Sequence, residues 1–171
     1  MTNRSPDLPN VDPGGLEADS LDELLSMRLI ANLGTYDPDG SIHLVPMWFL
    51  HQDGHLLIPT SERTRKVRNL RRRPWAAVMI HHAATGLDLR GALIRGQVEI
   101  IEAPHSKELN RSIHARYVTP EGLAKPEVTE YLGRGDDVTI RVPTRDVITW
   151  NLAAGAAARS LHAPGLTYPL D

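Results

Sequence analysis

From Arg28 onward, apolar residues arrive in short runs separated by turn-forming residues, the pattern of strands joined by tight connections. RLIANLGTYDPDGSIHLVPMWFL sets two such runs on either side of Asp37-Pro38-Asp39-Gly40. The proline there presets φ, and the aspartates and glycine favour turn geometry. A second turn, Gln52-Asp53-Gly54, leads into HLLIPTS. Three consecutive antiparallel strands are expected, over about 29–36, 41–50 and 55–60. Residues 62–72 read as a helix, with Val67 and Leu70 three positions apart on an apolar stripe and Pro74 as its stop.

WAAVMIHH (75–82) reads as a strand followed by a loop around Thr85-Gly86. LRGALIRGQVEIIE (89–102) reads as one long strand whose internal glycines mark a bend or bulge of the barrel-corner kind. Ala103 to Tyr117 has helical character, with Pro104 suited to the first turn. Pro120 to Gly135 is a loop or short helix, and DVTIRVPTRDVITWNL (137–152) supplies two last strands interrupted at Pro143. Strands that cluster, rather than alternating strictly with helices, favour an α+β barrel over a doubly wound sheet.

Three regions follow from this pattern. Residues 1–20, with Pro6, Pro9, Pro13, Gly14 and Gly15 among few apolar positions, read as a flexible N-terminal arm. Residues 21–152 form the folded domain, opened by LDELLSM with Ser20 as cap and Glu23 completing a capping box. Residues 153–171, rich in alanine, glycine and proline, read as a C-terminal tail lying loosely on the surface. No internal repeat is present.

Composition narrows the chemistry. The chain has no cysteine, which removes disulfides, thiolate metal sites and cysteine nucleophiles together. With a single Phe, the core must be largely aliphatic. No apolar run approaches a membrane span and no signal-peptide core is visible, so the expected location is the cytoplasm. The formal net charge of -2 argues against a bulk electrostatic partner such as nucleic acid or a membrane surface. That total hides an uneven distribution: seven of the 19 basic residues fall within residues 63–73, leaving the rest of the chain strongly acidic.

That basic segment is the strongest candidate site. Thr60 and Ser61 offer hydroxyls and backbone N–H groups where a strand runs into a helix N-terminus, a favourable place for an anion. Arg65 and Lys66 in the first turns can add charge-assisted bonds to a phosphate. A solvated basic face is the competing interpretation, and a DNA-reading helix is a third that the acidic remainder of the chain disfavours. Arg71, Arg72 and Arg73 lie further along, in solvent or beside acidic neighbours. No metal site is expected: His81 and His82 point to opposite faces of a strand, and no carboxylate is spaced to join His51 and His55.

Taken together, GTYDPDGSIHLVPMWFL, PTSERTRKVRNLRRRP and LRGALIRGQVEI resemble three successive blocks of the flavin/deazaflavin split-barrel oxidoreductase superfamily, which includes the pyridoxamine-phosphate-oxidase-like proteins. The helix block, with its K-x-RNLRR-x-P stretch, is the most specific, and the short length is most similar to the F420-dependent reductase branch of actinobacteria. An arginine-rich composition with few lysines agrees with such a source. The resemblance spans about residues 21–152 and implies an FMN-binding type of split β-barrel, with six to seven mostly antiparallel strands and two to three flanking helices. It further implies a homodimer with cofactor sites at the subunit interface.

By the same resemblance, the strand carrying Val45, Pro46, Met47 and Trp48 would pass the cofactor ring. Alternation would send either Met47 or Trp48 inward. Thr60, Ser61, Arg65 and Lys66 would hold the cofactor phosphate, with Asn69 as a cap or supporting partner. Arg90 beside Gly91 would lie near the site, and Trp150 would meet the ring or pack the barrel end. The implied cofactor is coenzyme F420, with FMN as the alternative; arginines beyond those needed for the phosphate suit an anionic oligoglutamate tail. A C-terminal segment unlike that of a pyridoxamine-phosphate oxidase counts against a vitamin B6 substrate. The implied reaction is hydride transfer to a small electron-poor organic molecule, with the cofactor carrying the redox chemistry and no catalytic side chain assigned. A non-catalytic protein that stores F420 or flavin, or carries haem, is the alternative from another class.

Overall fold

The structure, a computed structural model, describes residues 15–132, 136–161 and 165–168. Most of the expected arm (1–14), the end of the 120–135 segment (133–135) and parts of the expected tail (162–164 and 169–171) lie outside the described residues. The fold is α+β, with two antiparallel sheets. The first has five strands in the order β2-β1-β5-β6-β9: β2 (Ile42–Met47), β1 (Ala31–Tyr36), β5 (Trp75–Ala83), β6 (Leu89–Gln97) and β9 (Asp146–Asn151). The second has four in the order β3-β4-β8-β7: β3 (Leu50–Gln52), β4 (His55–Ser61), β8 (Asp137–Pro143) and β7 (Glu99–Ile101). This two-sheet arrangement agrees with a split barrel.

The sheets are joined where the chain crosses from one to the other, and the crossings account for two differences from the sequence reading. The strand expected over 41–50 breaks at Trp48-Phe49, so β2 belongs to the first sheet and β3 to the second. Likewise the strand expected over 89–102 divides at Val98 into β6 and β7. Each break lets one hydrophobic run serve two layers. Phe49, the chain's one Phe, is fully buried at the first crossing. It joins Leu33, Leu56, Ile58, Val78, Ile80, Ile94, Ile140 and Val142 in a single core between the sheets.

Helices close the barrel. α1 (Ala18–Ser26) starts earlier than expected: the backbone carbonyl of Glu17 accepts from Leu21, and Ser20 lies inside the helix instead of capping it. Ahead of it, the Leu16 N–H donates to Thr149 Oγ1 on β9 at 2.8 Å. α2 covers Arg65–Arg72 with Thr64 as N-cap residue, so residues 62–64 form a turn and Thr60 and Ser61 stand ahead of the helix end. α3 (His105–Tyr117) packs across β4 and β8; α4 (Pro120–Leu123) and α5 (Pro126–Leu132) follow it. After a 3-10 turn at Leu152–Ala154, a short helix α6 (Ala156–Ser160) buries Ala158, so this part of the tail is packed. Among the described residues, no helix is long and apolar enough to cross a membrane.

Candidate functional site

At the first crossing, alternation places consecutive side chains on opposite sides. Met47 packs toward the core, whereas Trp48 faces outward and Phe49 inward. The Trp48 indole stacks on Tyr117 of α3, with ring centroids 5.0 Å apart and planes 3° from parallel. Its edge meets His114, one turn earlier, at 5.9 Å. The Tyr117 hydroxyl donates to the Leu29 carbonyl at 2.8 Å and accepts from the Phe49 N–H at 3.3 Å, fastening α3 to the crossing. Arg116 ties the same helix to the end of α1 through the carbonyls of Leu25, Ser26 and Met27.

These contacts frame a cavity of about 450 Å3, lined by Ile30, Pro46, Met47, Trp48, Pro59 and His114, with Tyr131 of α5 at its rim. It lies in the gap left by the crossing. β3 pairs with β4 only as far as Leu57, so on that side no described strand covers Ile58 to Ser61. An uncovered strand edge presents backbone N–H and C=O groups to whatever occupies the gap.

Directly along β4, Thr60 follows Pro59. Lys66 Nζ donates to Thr60 Oγ1 at 3.2 Å, and that hydroxyl also lies 3.3 Å from Thr64 Oγ1. Among the described residues, no carboxylate lies within ion-pair distance of Lys66. Its half-buried ammonium is held below the ordinary lysine range by lost hydration. Ser61 is committed differently: its hydroxyl donates to Asp136 at 2.7 Å, and Asp136 also meets Arg63 at 3.5 Å.

Arg65 turns away from this group. Its Nε and Nη2 form a fork on Asp37 at 2.7 and 2.6 Å. Asn69, buried, donates Nδ2 to Asp37 at 2.9 Å and to Thr35 at 3.2 Å. The Asn69 bond, outweighing the opposing effect of burial, and then the Arg65 guanidinium hold the Asp37 carboxyl below its usual value. This cluster locks α2 to the end of β1. The remaining arginines are largely engaged as well. Arg71 pairs with Glu62 and Glu102, Arg72 donates to the Tyr36 carbonyl, and Arg73 lies 3.8 Å over the Tyr36 ring.

The structure therefore brings together Pro46, Met47 and Trp48 at one cavity; Thr60 follows cavity-lining Pro59 on β4, and Lys66 of α2 reaches Thr60. Arg65 and Asn69 sit in the Asp37 cluster. Arg90 lies between Glu23, at 3.7 Å, and the Met27 sulfur. Trp150 covers Gly91 so closely that a Cβ there would come within 2.4 Å of the indole, which reserves that position for glycine. Neither Arg90 nor Trp150 lines the cavity of this chain. His114, Tyr117, Pro59 and Asp37 were not singled out by sequence reasoning. The visible signal for the first two was their spacing of three on one face of α3. Among the described residues, no cluster of His, Asp or Glu is arranged for a metal ion.

The sequence profile described as pyridoxamine 5'-phosphate oxidase matches residues 18–131. Among solved structures, a conserved hypothetical protein from Mycobacterium tuberculosis is similar at 30% identity with a TM-score of 0.67, covering 85% of this chain and 91% of its own. An F420 reductase is similar at 26% identity and a TM-score of 0.61, over 74% of this chain and 94% of its own. A FAD-binding protein from Mesorhizobium loti, at 18% identity and a TM-score of 0.58, covers 78% of this chain and 94% of its own; it shares the fold. Among curated proteins, none matches the sequence.

Proposed function

Because the chain belongs to the pyridoxamine 5'-phosphate oxidase family, we propose that it is an oxidoreductase binding coenzyme F420 in the gap between β2 and β4 and reducing a small electron-poor organic substrate. The observation carrying this reading is Lys66: a half-buried cation that meets no carboxylate among the described residues and donates to Thr60, the residue after Pro59 in the wall of an aromatic-lined cavity. Such a donor set fits a phosphate on a ring-bearing cofactor. When bound, the reduced deazaflavin supplies a hydride. Lys66 and Thr60 hold the phosphate, the uncovered edge of β4 offers backbone groups to the ring, and Trp48, Pro46 and Pro59 exclude water from it.

The arginines of α2 do not carry the choice of cofactor, since most are answered within the protein. Preference for F420 over FMN rests on the likeness to an F420 reductase. FMN is the second reading, favoured by the family and by a cation site that suits the phosphate of either.

A homodimer is part of the same proposal. The outer face of the five-stranded sheet exposes Ile42, Leu44, Met79 and Ile148, an apolar surface of the kind a second copy covers. Arg90 and Trp150, on that sheet but outside the cavity of their own chain, would then serve the partner's site.

Parallel fluorescence titrations with F420 and FMN test the reading. Tighter binding of F420, at micromolar concentration or below, supports it. Tighter binding of FMN replaces the cofactor, and binding of neither overturns the proposal. Sedimentation should show a dimer that Leu44→Asp with Ile148→Asp converts to monomer; a monomeric wild type removes the dimer from the proposal.

A further inference from the structure

A second cavity, of about 440 Å3, opens on the other side of His114, which lines both. Its wall includes Lys107, Arg111 and His114 on α3, Leu123 and Leu132 on the short helices that follow, and Asp137 at the head of β8. Lys107, Arg111 and His114 stand at i, i+4 and i+7, so they form one stripe along the helix. Tyr117 continues that stripe beneath Trp48. At 1.5 Å of rise per residue, Lys107 and His114 lie about 10 Å apart along the axis. The stripe thus leads from two cations to the ring-facing cavity.

Both cations stand exposed on the cavity wall. Arg71, Arg95 and Arg141 each meet a carboxylate, whereas neither Lys107 nor Arg111 forms an ion pair among the described residues. Asp137 shares their cavity; burial and then neighbouring Asp136 raise its pKa, against the attraction of His114 and Lys107. A carboxylate on the same wall disfavours a dianion such as a phosphate monoester and leaves room for one negative charge. The leucines suit an apolar stem attached to it.

We infer that this second cavity is the substrate subsite and that it takes an organic acid with a single carboxylate, held by Lys107 and Arg111, and an apolar stem running past Leu123 and Leu132 to His114. An electron-poor acceptor group at the far end of the stem, remote from the carboxylate, then reaches the first cavity. This rests on the reading of that first cavity as the cofactor site.

trans-Cinnamate and cinnamamide, alike in shape and different by one charge, provide the test. Each is titrated into the full-length protein and followed through the imidazole resonances of His114, assigned with His114→Gln. Cinnamate is expected to shift them with a Kd at least about fivefold below that of the amide, the scale of a solvent-accessible ion pair. The double variant Lys107→Met, Arg111→Met should erase the preference while leaving cofactor affinity and far-UV circular dichroism unchanged. Equal binding of the two probes, a preference surviving in the double variant, or loss of cofactor binding in that variant overturns the inference. If neither F420 nor FMN binds the wild type while the cinnamate preference holds, the cofactor reading fails and the anion subsite stands.

Discussion

The junction of α2 with β1 and its junction with β4 are built from neighbouring residues, and they differ in how their charges are answered. At the first, Asp37 receives a guanidinium fork from Arg65 and an amide from Asn69, which also reaches Thr35. At the second, Lys66 finds a hydroxyl and, among the described residues, no carboxylate. A buried polar cluster that satisfies itself contributes rigidity and has little left for a ligand. A half-buried ammonium with unused donors is costly alone and is relieved by an anion. Arginine count along the helix does not separate the two; the partners do.

Breaking the satisfied side should cost the most stability. Asn69→Ala leaves Asp37 short of a donor in a buried setting and is expected to lower unfolding free energy by about 1–3 kcal/mol in urea titration. Cofactor affinity should stay within about twofold, apart from any loss through α2 loosening. Lys66→Ala is the complementary case. It should weaken F420 or FMN about tenfold, or ~1.4 kcal/mol, with stability unchanged or improved. Comparable losses of affinity in the two variants would erase the distinction between the junctions.

pH sharpens the comparison further. Burial lowers the Lys66 pKa in the folded chain relative to the unfolded one. Below the folded value the charged ammonium therefore costs stability, and between the two values the folded state has shed more protons, so stability rises with pH. Lys66→Met should raise Tm modestly at neutral pH, and the gain should shrink as pH climbs toward the ordinary lysine range. A gain independent of pH would point to packing instead of charge. The smallest effect is expected from Arg73→Ala, which removes a cation stacked on Tyr36 and costs about 0.5–1 kcal/mol without altering cofactor affinity.

Local signals made much of this fold legible. The Asp37 to Gly40 turn, the β1–β2 hairpin and the helix ending before Pro74 are set by residues close in the chain. The two sheet crossings were hidden, because a hydrophobic run looks the same whether one sheet or two receives it. The site was half legible for a related reason. Lys66 and Thr60 are six residues apart, and a strand–helix order suggested their meeting. Arg65 belongs to Asp37, 28 positions away, and its departure depended on tertiary pairing. Tyr117 reaches Phe49 across 68 positions, beyond any local pattern.

The Trp48–Phe49 pair has a consequence for how this protein can change over time. One residue lines the first cavity while the next anchors the interior, so the two duties are separated by a single step of backbone. Exchanging Trp48 for another flat side chain retunes the pocket and leaves the interior intact. Removing one residue from β2 would instead slip the register, offering an aromatic meant for the interior to the cavity and the indole to the barrel. Diversification at this wall is therefore open to substitution and closed to insertion and deletion.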